Sequence, residues 1–307
     1  MHATTTDESV ADDRAADCAM TDAERAAFER DGYLIVRGAL SPDEVAFALD
    51  AVLRARDAAR ERDELDEHGA MHRLSAVTYC PQLAFLLDHP NTFRLVWSLL
   101  GWNVHVYHSH IDVHPPRPAP PRPHWGWHQD GGRQNRELET DPRPRLSVKI
   151  AYWLSDVSQA GRGNLVVVPG SHRTNWLDGP AHRSDPHDEP PGAIEVTVSA
   201  GDALLFDRRL WHVRSTNHSD LTRVAAFFGY TFRWIVGRDD TAALPAQPWW
   251  DHLSPVQQQL LGGNGIGDSR DDTIGDHAWG HDPSTTPLYR HLAASGRLDS
   301  SIDALIP

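Results

Sequence analysis

Apolar and polar positions recur along this chain with two different periods, and the change falls near residue 104. Ahead of it, Thr21-Asp22-Ala23-Glu24 has the Thr-x-x-Glu form of a capping box before Ala26, Ala27 and Phe28, which predicts a short helix stopped by Asp31-Gly32. Tyr33-Leu34-Ile35-Val36 reads as a short apolar strand closed by Arg37-Gly38. Ser41-Pro42-Asp43-Glu44 supplies a cap, a proline at the first helical position and two acids on the helix dipole. A second helix therefore starts there and runs to about Arg62, with Val45, Leu49, Val52 and Leu53 as its apolar stripe. A further helical patch covers roughly 81–100, so the segment 21–100 is expected to be helical with a single strand.

From Val104 the period shortens. Strands are expected over 104–113, 146–154, 165–168, 194–198, 203–206, 211–215 and 223–232, separated by turns rich in Gly, Pro, Asn and Asp. No long helix alternates with them, so an antiparallel sandwich or barrel is expected over about 104–235 rather than a parallel α/β sheet. The stretch 238–307 reads as irregular, and residues 1–20, acidic and without an apolar core, as a disordered tail. Residues 21–307 then form one domain, with Pro115–Pro123 and the loop 131–144 expected at the rim of its site.

Composition narrows the function classes. A formal net charge of −14 argues against nucleic-acid and anionic-membrane partners, both of which need a basic patch. No run of 18 apolar residues exists to span a bilayer, and the N-terminus lacks the apolar stretch of a signal peptide. Cys18 and Cys80 read as free thiols in a reducing cytoplasm. Of 29 basic residues only Lys149 is a lysine, a bias that a GC-rich genome produces without selection on chemistry.

The candidate chemistry begins at His128-Gln129-Asp130. On an extended chain residues two apart point to the same side, so an imidazole and a carboxylate converge on one ion. Iron in a facial triad takes a third ligand from elsewhere and keeps three positions open, and His212 on a later strand can supply that ligand. Among 19 histidines a His-x-Asp pair is weak evidence alone. Arg223 strengthens it: a hairpin through Asn217-His218-Ser219-Asp220 would set it beside His212. Arginine grips a carboxylate with two parallel hydrogen bonds, which a dicarboxylic co-substrate chelating the metal at its other end requires.

Together with Val168-Pro169-Gly170-Ser171-His172, Gly201-Asp202, Trp211-His212 and the opening segment Arg30 to Leu40, these motifs resemble the phytanoyl-CoA dioxygenase family over roughly residues 22–235. The resemblance implies a mainly β fold, a double-stranded β-helix (jelly-roll, cupin-like) core with flanking N-terminal α-helices. It implies Fe(II) on His128, Asp130 and His212, 2-oxoglutarate with its far carboxylate on Arg223, and molecular oxygen. The co-substrate then yields succinate and CO2 while a small organic molecule is oxidised, hydroxylation and natural-product tailoring being the expected reaction and setting. Further co-substrate contacts are implied at Tyr152, at His110 and at His114, the last standing where phytanoyl-CoA-acting members have a lysine. Lys149 lies three residues before Tyr152 on one strand, so only one of the two can line the cavity unless the strand is bulged. His172 reads as part of a structural turn, and Asp130 argues against a halogenase, since halogenating relatives lack that carboxylate. The alternatives are a metal-dependent cupin hydrolase or isomerase, which has no use for Arg223, and a non-catalytic small-molecule-binding protein, which usually shows a broken triad.

Overall fold

A computed structural model describes residues 19–117, 126–177, 189–263 and 283–298. Helix α1 (Asp22–Asp31) begins at the capping box of Thr21 and Glu24 and ends on Gly32 in the left-handed region. Helix α2 (Pro42–Glu61) begins at a second box, Ser41 with Glu44. Both starts are local chemistry, each satisfying backbone N–H groups that the first helical turn leaves unpaired. A 3-10 turn at Pro81–Leu86 and helix α4 (Pro90–Leu100) fill the third helical patch. Between α2 and that turn lie a strand the sequence pattern did not announce, Met71–Leu74, and the one-turn helix α3 (Ala76–Tyr79).

The strands in chain order are β1 (Tyr33–Val36), β2 (Met71–Leu74), β3 (Val104–His114), β4 (Ser147–Trp153), β5 (Leu165–Val167), β6 (Ile194–Glu195), β7 (Ala203–Asp207), β8 (His212–Arg214) and β9 (Arg223–Phe232). They form two antiparallel sheets, one ordered β1-β7-β4-β9-β3-β2 and the other β6-β5-β8. This is the expected jelly-roll core with its helices on the outer face of the large sheet. One apolar core, including Phe28, Val52, Leu83, Leu95, Ile150 and Phe228, joins that outer face to the helices. A second, smaller core lies between the sheets, with Trp153, Leu204, Phe206 and Phe227 from one and Leu165, Val167 and Leu210 from the other side.

Strand β3 changes sides partway along. Its register with β9 slips between Val106 and His108, an irregularity that leaves Tyr107 unpaired. One extra residue reverses which face every later side chain takes. Val104 and Val106 join the helix-side core, and so do Ile111 and Val113, which leaves His108, His110, Asp112 and His114 for the face between the sheets.

Three expectations need correction. Met20 is part of the fold rather than of a tail: it is buried, and its N–H donates to Ser98 Oγ at 3.0 Å; residues 1–18 lie outside the described residues. The C-terminal region is more ordered than its composition suggested. Helix α6 (Pro255–Leu260) has a Ser254–Gln257 capping box, and α7 (Pro287–Ala294) adds Leu288 and Leu292 to the main core. The turn at Asn217 is not a hairpin: β8 pairs with β5 while β9 pairs with β3 and β4, so the chain crosses from one sheet to the other there. Among the described residues no helix is long and apolar enough to cross a membrane.

Candidate active site

His128 lies outside the named strands but pairs with the first residue of β8. The two histidines exchange backbone hydrogen bonds, His128 N–H to His212 O at 3.1 Å and His212 N–H to His128 O at 3.0 Å. That pairing brings their rings to 4.3 Å between centroids. Each ring is tethered in the same way. His128 Nδ1 meets the Gly126 carbonyl at 3.0 Å and His212 Nδ1 meets the Leu210 carbonyl at 2.8 Å. A carbonyl partner requires the proton on Nδ1, which leaves the Nε2 lone pair of both rings available to a metal.

Asp130 completes the group. Its backbone N–H donates to Arg208 O at 2.8 Å, and Arg208 Nη2 donates back to Asp130 O at 2.9 Å and to Asn135 Oδ1 at 2.5 Å. Gly131 follows at φ +123°, and a Cβ there would collide with the Arg208 guanidinium, so glycine is what lets that brace pass. Ligand atoms of His128, Asp130 and His212 all lie within 4.8 Å of one another. Burial drives the His212 pKa down to about 3, helped by the neighbouring His128, so this ring is neutral and can ligate at ordinary pH. Burial opposes ionisation of Asp130, yet Lys149 and the two histidines together hold its carboxyl well below the usual range. Two imidazoles and one carboxylate, with His128 and Asp130 partly exposed, match the donor types of a facial-triad iron site.

The second half of the site is the inward row on β3 and the start of β9. His114 lies directly across the ladder from Arg223. Arg223 is buried, with its guanidinium carbon 4.6 Å from the centre of the Trp153 ring and 5.7 Å from that of Phe227. Gly163 makes room for it, since a Cβ there would come within 2.9 Å of Arg223 Cδ. Arg223 Nη1 donates to Asp112 Oδ2 at 3.2 Å, while its Nε is buried without a hydrogen-bond partner. Burial lowers the Arg223 pKa to about 10, so it remains charged at neutral pH.

Asp112 is the residue sequence reasoning missed. It contacts His72 Nδ1 at 2.6 Å, and His114 Nε2 lies 3.6 Å away. Burial opposes its charge, but His110, His114, His72 and Arg223 hold its carboxyl well below the usual range. The signal was present in the alternation His108, His110, Asp112, His114, in which the single acid stands among bases. His110 stacks on Phe227 with centroids 4.3 Å apart, and His114 Nε2 contacts Arg214 Nη1.

Tyr152 is a correction. Its side chain points to the helices, where its hydroxyl meets Thr92 Oγ1 at 2.5 Å and donates to the Leu86 carbonyl at 2.9 Å. β4 is regular here, so the alternation that turns Lys149 inward turns Tyr152 outward. His172 is buried against Gly32, as a structural turn requires. Of the expected rim, Pro118 to Pro123 lie outside the described residues. The loop 131–144 carries a one-turn helix, α5 (Gln134–Glu137), and reaches the site through the Asn135 contact to Arg208.

Comparison with known proteins gives concordant findings. The family model for phytanoyl-CoA dioxygenase (PhyH) matches residues 28–225. An ectoine dioxygenase of Sphingopyxis alaskensis is 27% identical over 232 residues, 67% of this chain and 74% of that protein. Among solved structures, the non-heme alpha ketoglutarate dependent carbocyclase SnoK from nogalamycin biosynthesis is similar with a TM-score of 0.53 and 25% identity, covering 76% of this chain and 91% of the other. The structure of EctD from S. alaskensis with 2-oxoglutarate and 5-hydroxyectoine has a TM-score of 0.56 over 81% of this chain and 86% of its own, at 22% identity, and so speaks to the fold alone.

Proposed function

The chain belongs to the phytanoyl-CoA dioxygenase family and is a non-haem iron, 2-oxoglutarate-dependent dioxygenase; on that premise we propose that His128, Asp130 and His212 hold the iron and Arg223 the far carboxylate of 2-oxoglutarate. The observation that carries this reading is the His128–Asp130–His212 cluster, whose two rings are both tethered at Nδ1 and free at Nε2. When bound, the iron supplies the redox chemistry by which O2 and 2-oxoglutarate become succinate and CO2 while one oxygen atom passes to the substrate. The residues of the chain bind and orient. Two guanidinium groups, Arg214 and Arg223, face the single carboxylate of Asp112, so the pocket keeps one positive charge for a co-substrate carboxylate. Arg223 Nε, buried and unpaired, is the donor left for it. His110 and His114 flank that position, and Trp153 and Phe227 wall it from water.

The substrate in this reading is a small polar organic molecule, in keeping with the inward row of His108, Lys149 and Asp130 beside the metal position. A cytoplasmic address without nucleic-acid partners belongs to the same reading, supported by the net charge of −14 and the free, buried Cys80. The test is a succinate-release screen of the Fe(II)-loaded enzyme against small organic molecules, with O2 and 2-oxoglutarate each withheld in turn. Succinate formation that depends on both supports the reading. Substrate turnover that proceeds without 2-oxoglutarate overturns it.

A further inference from the structure

Lys149, the only lysine in the chain, stands in the middle of β4. Its backbone is in register with Phe206 of β7 on one side and Gly229 of β9 on the other, so the base of the side chain is fixed by ladders on both edges. The side chain is 6% exposed, and its ammonium lies 5.7 Å from the centre of the Phe206 ring and 2.6 Å from Asp130 Oδ2. The other carboxylate oxygen, Oδ1, is the one that faces His128 Nε2, at 3.9 Å. The two oxygens of this carboxylate thus have different neighbours, an imidazole nitrogen and an ammonium.

We propose that Lys149 is a positioning residue that holds Asp130 Oδ2 and so restricts Asp130 to ligation through Oδ1 alone. The inference rests on the metal-site reading above. A free carboxylate can occupy two positions on one ion, whereas a facial triad works by leaving three positions open. Two of these go to a chelating keto acid, so a second oxygen from Asp130 would fill the last. An ammonium is a compact charge with three donors on a flexible stem, suited to occupying one carboxylate oxygen from a fixed strand. Among the described residues Asp130 is the only acid in ion-pair contact with Lys149, so the pair is specific to this carboxylate.

The experiment compares wild type, Lys149→Met and Lys149→Arg, each loaded anaerobically with Fe(II) and 2-oxoglutarate and titrated with nitric oxide. The charge-transfer absorbance reads co-substrate chelation, and the paramagnetic resonance signal of the iron-nitrosyl reads the open position. Lys149→Met should keep the absorbance and lose about tenfold or more in nitric oxide affinity, the scale at which partners of metal ligands act. Lys149→Arg should stay close to wild type, because a guanidinium keeps a positive charge paired with Oδ2. Unchanged nitric oxide affinity in Lys149→Met, or equal loss in both variants, overturns the proposal. Loss of iron binding in Lys149→Met overturns it as well, because that outcome makes the lysine a general support of the site.

A second measurement needs neither the variants nor 2-oxoglutarate. Infrared difference spectra of the wild type labelled with carboxyl-13C aspartate, with and without Fe(II), read how Asp130 ligates. A wide separation of the two carboxylate stretches marks one-oxygen ligation and supports the proposal; a narrow one contradicts it. A wild type that shows the wide separation but no 2-oxoglutarate absorbance leaves the lysine's role standing and overturns the co-substrate reading instead.

Discussion

Strands β4 and β9 turn Val148, Ile150, Tyr152 and Phe228 toward the helices, and turn Lys149, Trp153, Arg223 and Phe227 toward the three-stranded sheet. Both sets are buried, but their polar atoms are treated differently. On the helix side the Tyr152 hydroxyl has Thr92 and Leu86 as partners, and the Tyr230 hydroxyl donates to the Leu87 carbonyl at 2.8 Å. On the inner side Arg223 Nε, His110 Nδ1, His108 Nδ1 and Trp153 Nε1 are buried with no hydrogen-bond partner. An unsatisfied buried polar group costs about 1–3 kcal/mol, so a cluster of them on one face marks where a ligand completes the structure. Four such atoms gather on the inner face at the candidate site, whereas on the helix side His89 Nδ1, beside Tyr152, is also left unpartnered.

That contrast is easiest to break at Asp130, where both kinds of effect meet. Asp130→Ala should abolish tight iron binding and also destabilise the metal-free protein by about 3–5 kcal/mol, because Lys149 is left buried without its counter-charge. Iron titration and urea unfolding read the two losses separately, and an unchanged unfolding midpoint would deny the ion pair its weight. Phe228→Ala, on the helix side, should cost a similar 3–5 kcal/mol of stability through the cavity it leaves. At a temperature where the variant is folded, its iron and 2-oxoglutarate affinities should match wild type; a tenfold change in either would mean the faces are not independent. Tyr152→Phe should cost only about 1 kcal/mol by thermal unfolding, the usual worth of a hydrogen bond, with no effect on 2-oxoglutarate binding.

The smallest effect is pH-dependent and lies among the helices. Glu24 takes two contacts from Arg94, at 2.9 and 2.5 Å, tying α1 to α4. The Arg94 hydrogen bond is the main cause that lowers its pKa from 4.5 to about 2, with burial opposing. A carboxylate depressed in the folded state adds stability above its unfolded pKa and loses it as the pH falls through the folded one. Glu24→Gln should therefore be less stable than wild type by about 1 kcal/mol at neutral pH, solvent screening keeping the figure small. The gap should close between pH 4.5 and about 2; a gap that stays constant over that range would show the charge has no part in it.

What was legible in the sequence was local or periodic. The capping boxes at Thr21 and Ser41 fixed two helix starts, because the side chains that cap are within three residues of the N–H groups they satisfy. The long strands β3, β4 and β9 followed from their apolar runs, and alternation along β4 already required Lys149 and Tyr152 to part company. The resemblance then favoured Tyr152, and the register of β4 turned out to place Lys149 inside. Features set by long-range pairing were not legible. The irregularity at Tyr107 reverses the later half of β3, strand β2 exists because Met71–Leu74 has an edge to join, and the crossing at Asn217 depends on which sheet β8 completes. Asp112 was overlooked for the same reason, since its partner His72 lies on the unannounced strand.

The central claim is that the inner face brings a metal triad and a carboxylate grip into one site. Anaerobic titration of wild type and Arg223→Leu with Fe(II) and then 2-oxoglutarate, followed by charge-transfer absorbance, tests it directly. Asp112 keeps His72 as a partner in the variant, so the fold has a remaining counter-group. Iron affinity should be unchanged, because arginine is no metal ligand. The affinity for 2-oxoglutarate should fall by about two to three and a half orders of magnitude, matching about 3–5 kcal/mol for stripping one partner from a buried charged pair. Equal 2-oxoglutarate affinity in the two proteins would contradict the account.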